Sequence, residues 1–464
     1  MPSVVIAGGG LVGSANACFF GQKGWIVDVY ESRFDPRGNH MENGKSINLA
    51  LGVRAMSTMK RIGLKEKVIH IGVPIRDQIA HFGDTKGKLK RLPVLNDDDF
   101  ILTINRQELS QILINEAEKY NNVKFHFNCK ATKFDLKSES LIVQNSDNLS
   151  TVDGDLFLAC DGAHSSIRRS LLKAPGFNFS QKYSEFGYID LSVNSTQQCD
   201  LKLGTHYSWR RRGIILVAIV NKDQSLTVSM FATFSEFESN LVGPVESVLF
   251  FKNNFYEIFK ILGEDHIRNT IARNKPQAII SVQCSQHVFF DKLVLMGDAA
   301  HAMVPFNGQG VNCGFEDCLV LQEIMDQYEE DELEDVIKEY SKVRTNETNI
   351  INQMEWDVNL TLTSSVHGSL GWIREIRAHI KLLLCFIFPS SFTLAAFSRE
   401  KYSEIARKAQ IVEKCTSLFT NVFIVFIISV ISLFWYLLGY CRGNLQAYCL
   451  QCAVVSGVCV QEVS

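Results

Sequence analysis

The sequence predicts an α/β protein: a Rossmann-like domain interrupted by an α+β domain, followed by a helical region with a C-terminal transmembrane helix. Three observations carry this. A short apolar segment, residues 3–7, runs into Gly8-Gly9-Gly10-Leu11-Val12-Gly13. A second glycine-rich stretch, GDAAHAMVPFNGQGVN at residues 297–312, follows the apolar run Leu293-Val294-Leu295-Met296 far down the chain. No charged residue lies between Lys414 and Arg442.

Composition bounds the class. The chain has 464 residues, 46% hydrophobic and 21% charged, enough for a sizeable core and unlike a disordered protein. Its length fits three domains of ~150 residues or two larger ones. The formal net charge is −3, from 47 basic and 50 acidic residues, with no basic stripe interleaved with aromatics, so nucleic acid is not an expected partner. Thirteen cysteines are scattered rather than densely spaced, which suits a reducing compartment. Cys449-Leu450-Gln451-Cys452 has no second pair or histidine cluster beside it and reads as tail cysteines, so no metal site is expected. Five Asn-x-Ser/Thr sequons, the first at Asn148, read as silent, because the N-terminus enters a strand with Val4-Val5-Ile6 instead of a signal peptide.

The elements follow in order. Residues 3–31 read strand, glycine turn, helix, strand. Residues 53–64 and 107–120 have helical spacing, residues 123–150 read as short strands, and residues 155–160 (DLFLAC) as a buried parallel strand. From about residue 183 to 234 the pattern turns to β, with GIILVAIV and SLTVSMFATF forming a hairpin around residues 221–224. KLVLMGDAA then resumes the first domain, with a helix from about Gly314. EEDELED at residues 329–335 reads as a solvated helix start. The centre of the charge-free segment, VFIVFIISVISLFWYLL, is long and apolar enough to cross a ~30 Å hydrocarbon core. Arg399, Lys401, Arg407, Lys408 and Lys414 precede it against Arg442 after it, which places the main body on the cytosolic side. LLLCFIF at residues 382–388 is too short to span, ends at Pro389, and reads as a helix packed on the body or lying in a membrane surface.

The first glycine cluster is a G-x-G-x-x-G directly after a strand. Such glycines permit a tight turn, let the backbone approach a pyrophosphate, and aim a helix N-terminus at its charge. Glu31 ends the next strand, where a carboxylate can accept hydrogen bonds from ribose hydroxyls. Together these predict an adenine dinucleotide without saying which. Asp161-Gly162-Ala163-His164-Ser165-Ser166-Ile167-Arg168 and Gly297-Asp298-Ala299-Ala300-His301 each follow an apolar strand as well.

With all three loops in view, the chain resembles the aromatic-ring flavoprotein monooxygenases, hydroxylases with a single FAD-binding domain in which three such loops converge on one FAD. The resemblance implies FAD contacts from Gly8, Gly10, Leu11, Val12, Gly13, Glu31, Ala50, Arg106, Ala131, Asp161, Ser166, Asp298, Gly308, Gly310, Val311 and Asn312. Asp298 can accept a hydrogen bond from a ribityl hydroxyl, and Gly308 and Gly310 let main-chain amides approach the flavin ring. His301 belongs to the cofactor loop as structural support. The implied cycle uses NADPH and O2, passes through a flavin C4a-hydroperoxide, and requires no catalytic metal or nucleophile from the protein, which excludes water and positions the ring. The expected division is residues 1–175 and 286–345 for the FAD-binding domain, 176–285 for a β-rich substrate domain, 346–414 for a helical region, 415–441 for the anchor and 442–464 for a tail.

Residues 8–14, 46–51 (SINLAL), 297–305 and 314–319 (GFEDCL) are similar to one membrane-anchored branch of this family. That likeness implies a small aromatic amino-acid substrate and the outer mitochondrial membrane, with the catalytic body facing the cytosol. The substrate positions depart from the branch. Gln78 stands where an arginine grips the amino-acid carboxylate, Val94 where a tyrosine assists, and Trp356 where an asparagine is expected; Phe306-Asn307 replaces paired phenylalanines, and the stretch after residue 392 is shortened. Arg76, or one of Arg210-Arg211-Arg212, is left to supply the charge. Two other readings stay open: the same chemistry on a less polar aromatic, with Val94, Trp356 and Phe306 lining the pocket, and a flavin-binding membrane protein without turnover.

Overall fold

The computed structural model describes residues 1–38, 48–82, 87–193, 200–211, 213–241, 243–329, 331–364, 371–385 and 388–456. Met1–Gly368 together with Ser390–Ala406 form one compact unit, and Ser369–Pro389 with Arg407–Ser464 a second.

The first unit is built on a six-stranded sheet ordered Val288–Phe289, Leu293–Leu295, Leu156–Ala159, Ser3–Ala7, Ile26–Tyr30, Val123–His126. Four of its pairings are parallel, and the Val288–Phe289 edge is antiparallel. Alternation explains the unbroken apolar runs. Val4 and Ile6 face a core that includes Phe20, Leu109 and Phe315, while Val5 and Ala7 face a second core with Phe157, Ile167 and Leu293. A sheet covered on both faces requires hydrophobic residues at every position.

The second sheet has seven strands, ordered Gln277–Cys284, Phe179–Asp190, Leu226–Thr233, Ile214–Val220, Thr205–Arg211, Asp77–Phe82, Lys90–Arg91. The expected hairpin is present as Ile214–Val220 against Leu226–Thr233, with Val217 opposite Ser229. Two strands from far upstream, Asp77–Phe82 and Lys90–Arg91, complete the sheet; Asp77–Phe82 pairs in parallel with Thr205–Arg211. One face is covered by the helices Pro244–Asn254, Tyr256–Leu262 and Glu264–Arg273 through Trp209, Leu216, Val228, Phe251 and Ile258. The other face looks into the cavity described below.

The helix expected from Gly314 begins earlier and runs Gln309–Met325. Gly308 adopts the left-handed conformation (φ +68°, ψ 27°) and turns the chain directly into it, a geometry open to glycine at little cost. Glu334 and Asp335 lie in the first turn of the long helix Leu333–Ser364, as expected for a solvated start.

In the second unit, Leu382–Cys385 are the last turn of the helix Gly371–Cys385, whose Arg377 and Lys381 both pair with Glu413. Phe386 and Ile387 lie outside the described residues. The helix Tyr402–Ser456 contains a stretch, Tyr402–Leu438, long and apolar enough to cross a membrane. Phe423, Phe426, Trp435 and Tyr436 on it are all exposed, an arrangement unsuited to water.

Candidate functional site

The three glycine-containing loops meet around one cavity of about 1110 Å³, above the ~300–1,000 Å³ usual for a single small-molecule site. Gly8, Gly10, Leu11, Val12, Glu31, Ala50, Arg106, Ala131, Asp161, Ser166, Asp298, Gly308, Gly310 and Val311 all line it.

The first loop is shaped by close approach. Gly8 has φ +100°, and a Cβ there would sit 2.4 Å from the Cys160 carbonyl oxygen; at Gly13 it would sit 1.9 Å from the Gly8 oxygen. Gly13 is therefore not a wall of the cavity but the point where the helix Leu11–Gln22 presses on the turn. The Gly9 amide donates to Glu31 Oε2 at 2.8 Å, and Arg33 donates to Glu31 Oε1 from its backbone (2.8 Å) and its Nε (2.9 Å). Burial pushes the Glu31 carboxyl up, but the Arg33 hydrogen bonds and charge and the Gly9 amide outweigh it, leaving it below its ordinary value.

The second loop folds back on its helix: Asp161 Oδ2 accepts from the Ser166 amide (2.7 Å) and the Ile167 amide (3.2 Å). Its Oδ1 is buried without a partner in the protein, and burial raises the carboxyl. Arg168 ties this loop to the third, donating to the Ala299 carbonyl (2.7 Å) and the Ala163 carbonyl (2.6 Å). The sequence displays Arg168 inside the motif, but its bridging role needs the fold.

The third loop rests on a buried ionic network. Asp317 Oδ2 accepts from the Gly297 amide (2.9 Å) and bonds His301 Nε2 (2.6 Å), while Oδ1 accepts from Arg344 Nε (3.0 Å) and Nη2 (2.8 Å). Arg344 also reaches Glu316 at 2.9 Å, and Glu316 pairs with buried Arg54. His301 is 1% exposed and faces this network behind the loop. Burial lowers His301, yet the Asp317 charge more than reverses that and holds its imidazole well above its ordinary value. His301, Cys313 and Asp317 approach one another closely enough for a metal, but Asp317 is already engaged by Arg344, His301 and Gly297. Glu316 and Asp317 fall within GFEDCL, but Arg54 and Arg344 sit inside helices with ordinary spacing, so no local signal marks the network the four form.

Asn312 departs from its expected role. It is 3% exposed and stitches neighbouring backbone, donating to the Ala50 carbonyl (2.9 Å) and accepting from the Gly52 amide (2.7 Å). It fixes the strand Asn48–Leu51 against the start of Gln309–Met325 and does not face the cavity. Ser46 and Ile47 lie outside the described residues.

The far half of the cavity is floored by the seven-stranded sheet. Gln78, His206, Ser208, Arg210, Ile215, Val217, Ile219, Thr227, Ser229 and Phe231 line it, with Phe306, Val358 and Phe392 around them. Phe306 packs against Phe186 and Phe231 with ring centroids 5.7 and 5.8 Å away. Gln78 and Phe306 are thus part of the lining. Arg76, Val94 and Trp356 do not line the cavity. Arg76 donates to the Asp98 carbonyl at 3.1 Å and lies over Phe100; Val94 packs beside Val73, Ile75 and Leu92; Trp356 packs beside Phe186, Ile279 and Val304, with Lys182 over its ring. Each is held by a local partner that its position in the sequence does not reveal. Arg212 lies outside the described residues.

One further group borders the cavity loop. Glu355, fully buried, accepts from the Asn307 amide through Oε2 (3.1 Å), and its Oε1 has no partner in the protein. Burial pushes its carboxyl up to about 7.

Comparison with known proteins agrees with this geometry. The family model described as FAD binding domain matches residues 1–353. A kynurenine 3-monooxygenase of Caenorhabditis elegans is 41% identical over 439 residues, covering 90% of this chain and 94% of the relative. The Sus scrofa kynurenine 3-monooxygenase is 36% identical over 409 residues, covering 87% and 85%. Among solved structures, 2-methyl-3-hydroxypyridine-5-carboxylic acid oxygenase superposes with a TM-score of 0.65 over 80% of this chain and 94% of its own, at 17% identity. The p-nitrophenol 4-monooxygenase of Pseudomonas putida superposes with a TM-score of 0.61 over 90% and 98%, at 18% identity. These structural likenesses establish the fold: an FAD-binding aromatic hydroxylase architecture.

Proposed function

The chain belongs to the kynurenine 3-monooxygenase family of FAD-dependent aromatic hydroxylases, and from that premise we propose that it converts L-kynurenine to 3-hydroxykynurenine in tryptophan degradation, consuming NADPH and O2. One oxygen atom enters the ring carbon beside the amine; the other leaves as water, and NADP⁺ is released. The single observation that supports the reading best is the convergence of three sequence-distant loops on one cavity more voluminous than a single small-molecule site usually is.

The residues fit FAD. A Cβ at Gly8 would meet the Cys160 carbonyl, so the backbone itself forms the wall there, and Asp161, whose Oδ1 is buried without a partner in the protein, lines the same cavity. We assign the pyrophosphate to the turn before Leu11–Gln22, a ribose to Glu31, and a ribityl hydroxyl to Asp298. When bound, FAD supplies the redox chemistry that takes reducing equivalents from NADPH and activates O2. The start of Gln309–Met325 directs amides and the positive end of a helix dipole toward the flavin region, favouring negative charge on a reduced ring. Phe231 and Phe306 exclude water where the substrate ring would lie, and the kynurenine amine activates the adjacent carbon, so no base is needed to ionise a phenol. We place the protein at the outer mitochondrial membrane, held by Tyr402–Leu438, with the body in the cytosol.

The test is product mass. Purified, flavin-loaded protein given NADPH, L-kynurenine and ¹⁸O-labelled O2 yields a product heavier by one labelled oxygen. NADPH consumption stimulated by another aromatic and not by kynurenine would move the activity to a different substrate, and a yellow protein that NADPH never bleaches would make it a non-catalytic flavin binder.

A further inference from the structure

Kynurenine carries an α-carboxylate at the end opposite its ring amine. Holding that charge in a cavity walled by aliphatic side chains requires a cation or several donors. The floor of the cavity offers both in a single row. Residues of Thr205–Arg211 alternate across the sheet, so His206, Ser208 and Arg210 face the cavity while Tyr207 and Trp209 enter the core below. Arg211 is turned away as well and donates to the Asn254 carbonyl at 3.0 Å.

The strand register sets what surrounds the row. On one side the parallel pairing puts Gln78 beside His206. On the other, Ile219, Val217 and Ile215 stand opposite His206, Ser208 and Arg210 in turn, and Phe231 lies beyond Ile215. A polar strand therefore adjoins an aliphatic one, matching a ligand that is charged at one end and aromatic at the other.

Resting on the reading of this chain as a kynurenine hydroxylase, we propose that Arg210, with Ser208, His206 and Gln78 as neighbouring hydrogen-bonding groups, anchors the substrate carboxylate and so sets the position of the ring over Ile215, Val217 and Phe231. The guanidinium keeps its charge at any working pH and offers a planar fork suited to a carboxylate. Burial, with the Arg210 charge second, pushes the His206 imidazole down to about 4, so near neutrality it joins the site as an uncharged partner and Arg210 is the charge. Three of the other cations of the lining belong to the dinucleotide half: Arg33 is paired to Glu31, Lys130 adjoins Ala131, and Arg169 lies in the helix opened by Ser166; Arg106, at the start of the helix after Ile101–Asn105, is the arginine the family resemblance assigns to the cofactor.

The experiment titrates full-length, detergent-solubilised holoenzyme with ligand and follows the flavin absorbance without NADPH. The ligands are L-kynurenine and kynuramine, which keeps the ketone and ring amine but lacks the carboxylate. Arg210→Gln is expected to weaken kynurenine binding roughly ten- to a hundredfold while changing kynuramine binding by less than about twofold. Arg210→Lys recovers part of the loss, since the charge returns without the fork. Arg211→Gln, which removes the adjacent charge on the opposite face, leaves both affinities unchanged. Unaltered kynurenine affinity in Arg210→Gln, or equal loss for both ligands, overturns the assignment. If the unmutated protein ignores kynurenine, the functional reading has failed, and benzoate against benzamide then decides the anchor. A preference for benzoate that disappears in Arg210→Gln sustains it; no preference overturns it.

Discussion

Replacing Arg344 with methionine would remove the cation on which the third loop depends. Arg344 is 3% exposed, and its guanidinium donates twice to Asp317 and once to Glu316, while Asp317 in turn holds the amide of Gly297, which lines the cavity. Breaking one side of a buried ion pair costs ~3–5 kcal/mol, because the remaining charge keeps its desolvation penalty without its partner. Here His301 still faces Asp317 and Arg54 still faces Glu316, so the lower end, about 3 kcal/mol, is the working figure. At ~2 °C per kcal/mol for a large domain, the midpoint should fall by about 6 °C. Thermal release of flavin, followed by its fluorescence, reads this directly, because the weakened loop is a cofactor loop. Lys119→Ala, which breaks an exposed pair with Glu116, serves as the control and should leave the midpoint where it was. An Arg344→Met protein that releases flavin at the unmutated temperature would show that the network does not support the loop.

Three other outcomes follow from the same geometry. Gly13→Ala should purify without flavin, or fail to fold, because the added Cβ lies 1.9 Å from a backbone oxygen that cannot yield; flavin-to-protein absorbance ratios measure it. Glu355→Gln should raise stability at alkaline pH. A carboxyl raised in the folded state to about 7 is favoured only while protonated, so its penalty is absent below the unfolded value near 4.3, grows between there and 7, and is complete above. The amide still accepts from Asn307, so the gain at pH 8, at most on the order of 3 kcal/mol, should vanish near pH 4, as chemical denaturation at the two pH values would show. A chain ended at residue 414 should leave the membrane fraction and stay soluble without detergent, while the full chain sediments with membranes.

Much of the cofactor half was legible because its constraints are local. A strand buried on both faces must be apolar throughout, which exposed Ser3–Ala7 and Leu156–Ala159, and backbone that must touch backbone must be glycine, which exposed Gly8 and Gly13. The misread helix start shows the limit: GQGVN looks like loop until Gly308 is known to be left-handed and Gln309 already helical. The pairing of Asp317 with Arg344 was silent because charged residues inside helices ordinarily face water, and only the packing of Leu333–Ser364 against Gln309–Met325 turns these two inward.

The substrate half hides for a different reason. Thr205–Arg211 alternates in a way that fits an ordinary half-solvated strand, with Tyr207 and Trp209 toward the core and His206, Ser208 and Arg210 outward. Period-two patterning states only that one face prefers polar surroundings; whether those surroundings are solvent or a ligand is decided by what stands over the sheet. Here it is the loop carrying Phe306 and Asn307, which comes from the fold's dinucleotide half far along the chain, together with Gln78 arriving from an upstream strand. A polar ligand site built on a sheet face is thus indistinguishable, strand by strand, from a wet surface. What separates the two is the set of groups standing over the strand, which no pattern within Thr205–Arg211 can encode; the downward pull on the His206 imidazole, to about 4, follows from desolvation at that face.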